Sequence, residues 1–117
     1  MARLRLRIDF DEGRALGPGK VRLLELVGET GSISAAGRAM GMSYRRAWLL
    51  VDALNRTFRE PVVSTRGGGA GGGGASLTPF GAELAACWRA MERDAQAALA
   101  QRVAALEQAL ATPGHVA

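Results

Sequence analysis

The sequence predicts a mainly α-helical fold with a small β-sheet, a winged helix-turn-helix continued by one long C-terminal helix. Three observations carry this. Residues 31–55 hold two short helical periods that meet at Gly41. Seven glycines within residues 66–76, divided by Ala70, lie between two short β-prone runs. After Pro79 no proline appears until Pro113, and Ala, Leu, Glu, Gln and Arg dominate the stretch between them.

The chain opens with strict alternation over residues 3–10. Leu4, Leu6, Ile8 and Phe10 fall on one side, Arg3, Arg5, Arg7 and Asp9 on the other. Period two means a strand with one wet face. Asp11-Glu12-Gly13 is turn chemistry, so residues 14–16 return as a brief second strand. Gly17-Pro18 opens the first helix, with proline where its missing N–H costs nothing. Val21, Leu24 and Val27 form the inner stripe, widened by Leu23, and Gly31 stands just past the end near Glu29 or Thr30. Ile33 falls between this helix and the next and is expected to be buried.

The stretch GSISAAGRAMGMSYRRAWLLVDALN organises the rest. Ser34 is expected to cap a helix whose inner face is Ala35, Ala36, Ala39 and Met40, since a short hydroxyl accepts an otherwise orphaned backbone N–H. Gly41 supplies the left-handed residue that ends it. Ser43 caps a second helix, residues 43–58, on which Ala47, Leu50, Val51, Leu54 and Phe58 recur at helical spacing. Tyr44, Arg45, Arg46, Asp52, Asn55 and Arg56 then face outward, while Trp48, beside Ala47 and Val51, has much apolar area to bury and is assigned to the core. Small residues at a close helix crossing, a glycine turn and arginines at a helix start are what a DNA-reading helix-turn-helix requires. A helical hairpin with solvated arginines satisfies the same pattern.

Pro61 stops the helix, and Val62-Val63-Ser64-Thr65 is β-prone. RGGGAGGGGAS follows, and Ser76-Leu77-Thr78 is a return strand. Strand, glycine loop and strand make a wing, residues 66–76. A phosphate loop of the Walker type needs lysine and Ser or Thr after its last glycine, where Ala75 stands. A flexible spacer is the other reading, but the flanking runs are short and apolar, and a packed helix follows.

Thr78-Pro79 starts that helix, threonine as N-cap and proline as first residue. Running to about Leu110, it spans on the order of 48 Å. Leu84, Trp88, Met91, Ala95, Leu99, Val103, Leu106 and Leu110 form a seam that outruns a small domain. Pairing with a second copy is the economical way to cover it, so Leu84, Trp88, Met91, Leu99, Val103 and Leu106 are assigned to a homodimer contact. The chain divides into a DNA-binding unit at 1–78, a dimerisation helix at 79–111 and a disordered tail at 112–117.

Charge supports a nucleic-acid partner. Fifteen Lys and Arg oppose eleven Asp and Glu, a net charge of +4 over 117 residues. Residues 43–66 hold five arginines against two acids, whereas residues 80–117 hold three arginines against four acids. A local basic surface favours phosphate-bearing partners. The DNA contacts are assigned to Ser32, Ser34, Ser43, Tyr44, Arg45, Arg46, Arg66, Gly71 and Gly72. Double-stranded DNA is the expected partner.

Residues 18–84 resemble the N-terminal DNA-binding domain of the molybdate-responsive regulator (ModE) family, itself distantly similar to LysR-type regulators. The matching text is the 31–55 stretch together with GGGAGGGGASLTPFG, and the pairing of the two at this distance is specific. The resemblance implies a bacterial transcription regulator that binds operator DNA as a dimer through its long helix. Two departures stand out. Many relatives carry a lysine in the glycine loop where this chain has Ala70. Full-length relatives continue into oxyanion-binding domains, whereas this sequence stops at Ala117, so the resemblance implies DNA binding and does not by itself imply molybdate sensing.

Catalytic chemistry is poorly supplied, and no cofactor is expected. His115 lies in the tail, no Cys/His spacing suits zinc, and no paired carboxylates stand at a useful spacing. One cysteine, Cys87, excludes an internal disulfide framework and is expected to be packed beside Trp88. Met40, Met42, Met91 and Cys87 are soft donors for a metal such as Cu(I), but core packing accounts for them more simply. With no signal peptide and no apolar run of about 20 residues, a cytoplasmic protein is expected. An accessory or architectural protein acting through its long helix, and a metal or oxyanion sensor, are the alternative functions.

Overall fold

The computed structural model describes residues 2–67 and 74–113. In order along the chain are β1 (Ile8–Asp11), β2 (Arg14–Leu16), α1 (Pro18–Thr30), α2 (Ile33–Ala39), α3 (Tyr44–Thr57), β3 (Val63–Thr65), β4 (Ala75–Leu77) and α4 (Pro79–Gln108). β1 pairs antiparallel with β2, and β3 with β4. This is a winged helix-turn-helix with a long C-terminal helix, which draws the molecule out to 59 × 31 × 27 Å.

β1 begins at Ile8, not at Arg3 as the alternation predicts. Ile8 already pairs with Leu16, and Gly17-Pro18 then turns the chain into α1, so residues 3–7 meet no second strand. Their alternation survives without one. Leu4 and Leu6 are half-buried, and Arg3, Arg5 and Arg7 are exposed. The arm lies beside α4, where the Ala2 amide donates to Glu107 Oε2 at 2.8 Å. Phe10, expected on the inner side, is exposed, though its ring meets Phe58 edge-on at 5.8 Å.

α1 buries Val21, Leu23, Leu24, Leu26 and Val27, each worth roughly 1.5–3 kcal/mol of transfer from water. Gly31 closes it with φ +72°, its N–H donating to Val27 O at 2.8 Å. The same residue's carbonyl accepts from Ala75 N at 2.9 Å, which fastens the β3–β4 hairpin to the end of α1. A Cβ at Gly28 would stand 3.1 Å from Leu77 Cδ1, so α1 and β4 are in close contact.

α4 joins this core through its first turns, where Gly81, Ala85 and Trp88 are buried and Phe80 and Leu84, the latter expected on the partner-facing seam, pack half-buried against it. Thr78 caps it, accepting from Gly81 N at 2.9 Å and donating from its hydroxyl to Pro61 O at 2.7 Å. Trp88 was expected on the partner-facing seam. It is 1% exposed and fills the chain's own core, because the first turns of α4 lie against α1 and the widest ring reaches inward. Cys87, expected to be packed, is exposed one position away. Beyond Trp88 the seam residues Met91, Leu99, Leu106 and Leu110 are exposed. α4 ends at Gln108, two residues short of the expected limit. Residues 114–117 of the tail expected to be disordered, His115 among them, lie outside the described residues.

Candidate nucleic-acid interface

The turn between α2 and α3 sets the angle of the reading helix. Gly41 takes φ +71°. The Gly41 and Met42 amides donate to Arg38 O and Gly37 O, both at 3.0 Å. A Cβ on Gly37 would stand 2.8 Å from Ala47 Cβ, so the crossing of α2 and α3 depends on a residue with no side chain. The sequence points instead to Ala35, Ala36, Ala39 and Met40 as the inner face, of which Met40 is half-buried against the core. Ala36 and Gly37 are buried, Ala35 is half-buried and Ala39 is exposed.

The cap of α2 is Ser32, whose Oγ accepts from Ala35 N at 3.0 Å, and not Ser34. Ile33 is buried as expected, but as the first residue of α2 and not between the helices. Ser34 Oγ instead accepts from Arg38 Nη1 at 3.1 Å. Ser43 caps α3 as expected, accepting from Arg46 N at 3.1 Å. In all three serines the oxygen accepts, and among the described residues their O–H groups have no acceptor, so each can donate to a phosphate.

α3 buries Ala47, Val51 and Leu54 and exposes Tyr44, Arg45 and Arg46. Among the described residues neither Arg45 nor Arg46 forms an ion pair, whereas Asp52 pairs with Arg56 at 3.1 Å. Two expectations for this helix fail. Asn55 is half-buried and turned to the hairpin, not outward. Its Oδ1 accepts from the Val62 and Val63 amides at 2.8 and 3.0 Å, and its Nδ2 donates to Val63 O at 3.2 Å, locking the start of the hairpin to α3. Trp48 is 44% exposed instead of core. One helical turn separates it from exposed Tyr44, and the inner stripe passes on its other side through Ala47 and Val51.

An open cleft separates α3 from the hairpin. Ser32 and Ser34 line one end, Tyr44 and Trp48 the α3 wall, Arg66 and Gly74 the hairpin wall. Arg66 N donates to Gly74 O at 2.8 Å, and a Cβ on Gly74 would stand 2.9 Å from Arg66 Nη2. Glycine at 74 therefore gives the guanidinium room to lie across the hairpin. Gly71 and Gly72, assigned to DNA contacts, lie outside the described residues. Among the described residues no three His, Cys, Asp or Glu side chains group to hold a metal ion, and no helix is long and apolar enough to cross a membrane.

The model of the bacterial regulatory helix-turn-helix proteins of the lysR family matches residues 19–82, from the start of α1 to the first turn of α4. This chain belongs to that family. Within the lysR-type match fall both helices of the motif, the hairpin and the Gly81 contact. Among its relatives, the molybdenum transport protein ModE of Azotobacter vinelandii is 40% identical over 95 residues, 81% of this chain and 35% of that protein. The molybdenum-pterin-binding protein MopB of Rhodobacter capsulatus is 44% identical over 98 residues, 84% of this chain and 35% of MopB. The DNA-binding transcriptional dual regulator ModE of Escherichia coli K12 is 32% identical over 83 residues, 71% of this chain and 32% of that regulator. The lysR-type chain described here thus spans about a third of the length of each of these three.

Proposed function

We propose that this chain is a DNA-binding transcription regulator that acts as a homodimer, with α3 in the major groove and the glycine-rich wing on the flanking backbone. One observation carries the reading: Arg45 and Arg46 stand exposed on the first turn of α3 with no acidic partner among the described residues. An unpaired guanidinium on a helix start suits both guanine, which it meets with two hydrogen bonds, and phosphate. The hydroxyls of Ser32, Ser34 and Ser43 and the guanidinium of Arg66 surround that turn at positions suited to backbone contacts. The E. coli relative, named a DNA-binding regulator, supports the same assignment.

The dimer rests on α4. Past Trp88 the helix carries Met91, Leu99 and Leu106 on its surface, Leu106 at 71% exposure, and a second copy of the helix would cover them. The same exposed stripe suits an accessory protein that acts through α4 on another protein. Titrating the chain with selected and random duplexes at several salt concentrations separates the two. A regulator prefers selected DNA by roughly 10³-fold or more at physiological salt, and an accessory protein shows no preference.

A further inference from the structure

We infer that Leu49 reads the C5-methyl group of a thymine, about two base pairs from the base met by Arg45. This rests on the reading of α3 as the groove-entering helix and names one determinant of what that helix selects.

Leu49 is 46% exposed on a helix that buries its other apolar stripe. Its position is central. One shallow hollow is formed by Tyr44, Arg45, Trp48 and Leu49, and the hollow on the other side by Ser43, Arg45, Arg46, Leu49 and Leu50. Arg45 and Leu49 line both, so they stand on the ridge between them. One turn on, Asp52 and Arg56 are engaged with each other.

An apolar side chain on that ridge has nothing to offer a phosphate. With Tyr44 and Trp48 it makes a small apolar patch on the first turns of α3, edged by Arg45, Arg46 and the Asp52–Arg56 pair, and so too small and too charged at its margin for a protein partner, which needs upwards of about 1,000 Å² of buried surface. The floor of the major groove suits it. There the thymine methyl is the apolar feature, and the charges around Leu49 meet the flanking phosphates and guanine edges. Four residues of helix advance about 6 Å, against about 3.4 Å per base pair, which sets the spacing of two base pairs.

The test uses the 117-residue chain and a duplex selected by it from a randomised library. Each thymine of that duplex is replaced in turn by deoxyuridine, which lacks only the methyl. Loss of one buried methyl predicts roughly a fourfold weaker complex at one position. Leu49→Ala should bind the thymine duplex weaker by a similar or larger factor and be indifferent to deoxyuridine there, with an unchanged melting temperature. Tolerance of deoxyuridine at every position, or an undiminished penalty in Leu49→Ala, overturns the inference. If Arg45→Ala then still loses sequence preference, α3 reads DNA without Leu49. If the chain selects no sequence at all, the groove reading itself fails and the inference with it.

Discussion

Arg89 on α4 grips Glu25 on α1 through two parallel hydrogen bonds, Nη2 to Oε1 at 2.7 Å and Nε to Oε2 at 2.9 Å. Its remaining nitrogen donates to Glu92 at 2.7 Å. The planar fork of a guanidinium matches a carboxylate in this way, and lysine cannot reproduce it. The pair lies where α4 leaves the domain, just after buried Trp88, and it fixes the direction in which the exposed part of the helix projects.

That contact makes stability depend on acid. The Arg89 guanidinium, chiefly by hydrogen bonding, holds the Glu25 carboxyl below the usual carboxylate range and is itself raised by Glu25 and then Glu92. A depressed folded-state value means that the unfolded chain takes up the proton first. The stabilisation is therefore fully present above the unfolded carboxyl value, about 4.3, and is lost as pH falls through the lower folded value. Melting temperature should decline below about pH 4.5, and Glu25→Gln should remove part of that decline. An identical pH profile in the variant would count against the contact.

Two glycines predict opposite responses to alanine. At Gly81 a Cβ would meet the Val62 carbonyl, 2.9 Å from its carbon, and backbone cannot turn aside. Gly81→Ala should lower stability by about 1–3 kcal/mol or more. Gly19, in the first turn of α1, has nothing within 4 Å of such a Cβ, so Gly19→Ala should be neutral or stabilise by up to about 1 kcal/mol. Urea denaturation of both variants checks the pair.

The two tryptophans should separate cleanly. Trp88→Ala empties a core position and should cost about 3–5 kcal/mol, whereas Trp48→Ala should change stability by no more than about 0.5 kcal/mol. Acrylamide should quench the fluorescence of a Trp88→Phe protein far more readily than that of a Trp48→Phe protein. Equal quenching would contradict the exposed position of Trp48.

Charges on α4 test the dimer. Leu99 and Leu106 are both exposed in the single chain, so the double change Leu99→Glu, Leu106→Glu should leave the domain folded while sedimentation reports monomers. A dimer that survives both charges would move the interface elsewhere.

Arg45→Ala and Arg46→Ala should each leave stability within about 0.5 kcal/mol of the parent. Loss of a guanine contact should cost about 1–3 kcal/mol on selected DNA only. Loss of a phosphate contact should weaken all duplexes alike and reduce the salt slope by about one. Parent-like binding by both variants would turn the assignment toward the accessory role.

Much of this fold is legible in the sequence because it depends on local chemistry. Proline after glycine at α1, left-handed Gly31 and Gly41, Ser43 and Thr78 as caps, and the apolar period of α1 act over one or two turns of chain. The same is true of the two β-prone runs around the glycines. Apart from the cap of α2, where Ser32 stands in place of Ser34, the sequence misleads where a residue's fate depends on another element. Residues 3–7 have the pattern of a strand but only β2 to pair with, and β2 stops at Leu16. Trp48 and Trp88 carry equal apolar area, yet the placement of α4 against α1 buries one while the opposite face of α3 exposes the other. Asn55 resembles any polar residue on a helix until the hairpin presents the amides of Val62 and Val63 to it. Periodicity measures which residues share a face, and only the packing of elements decides which face is wet.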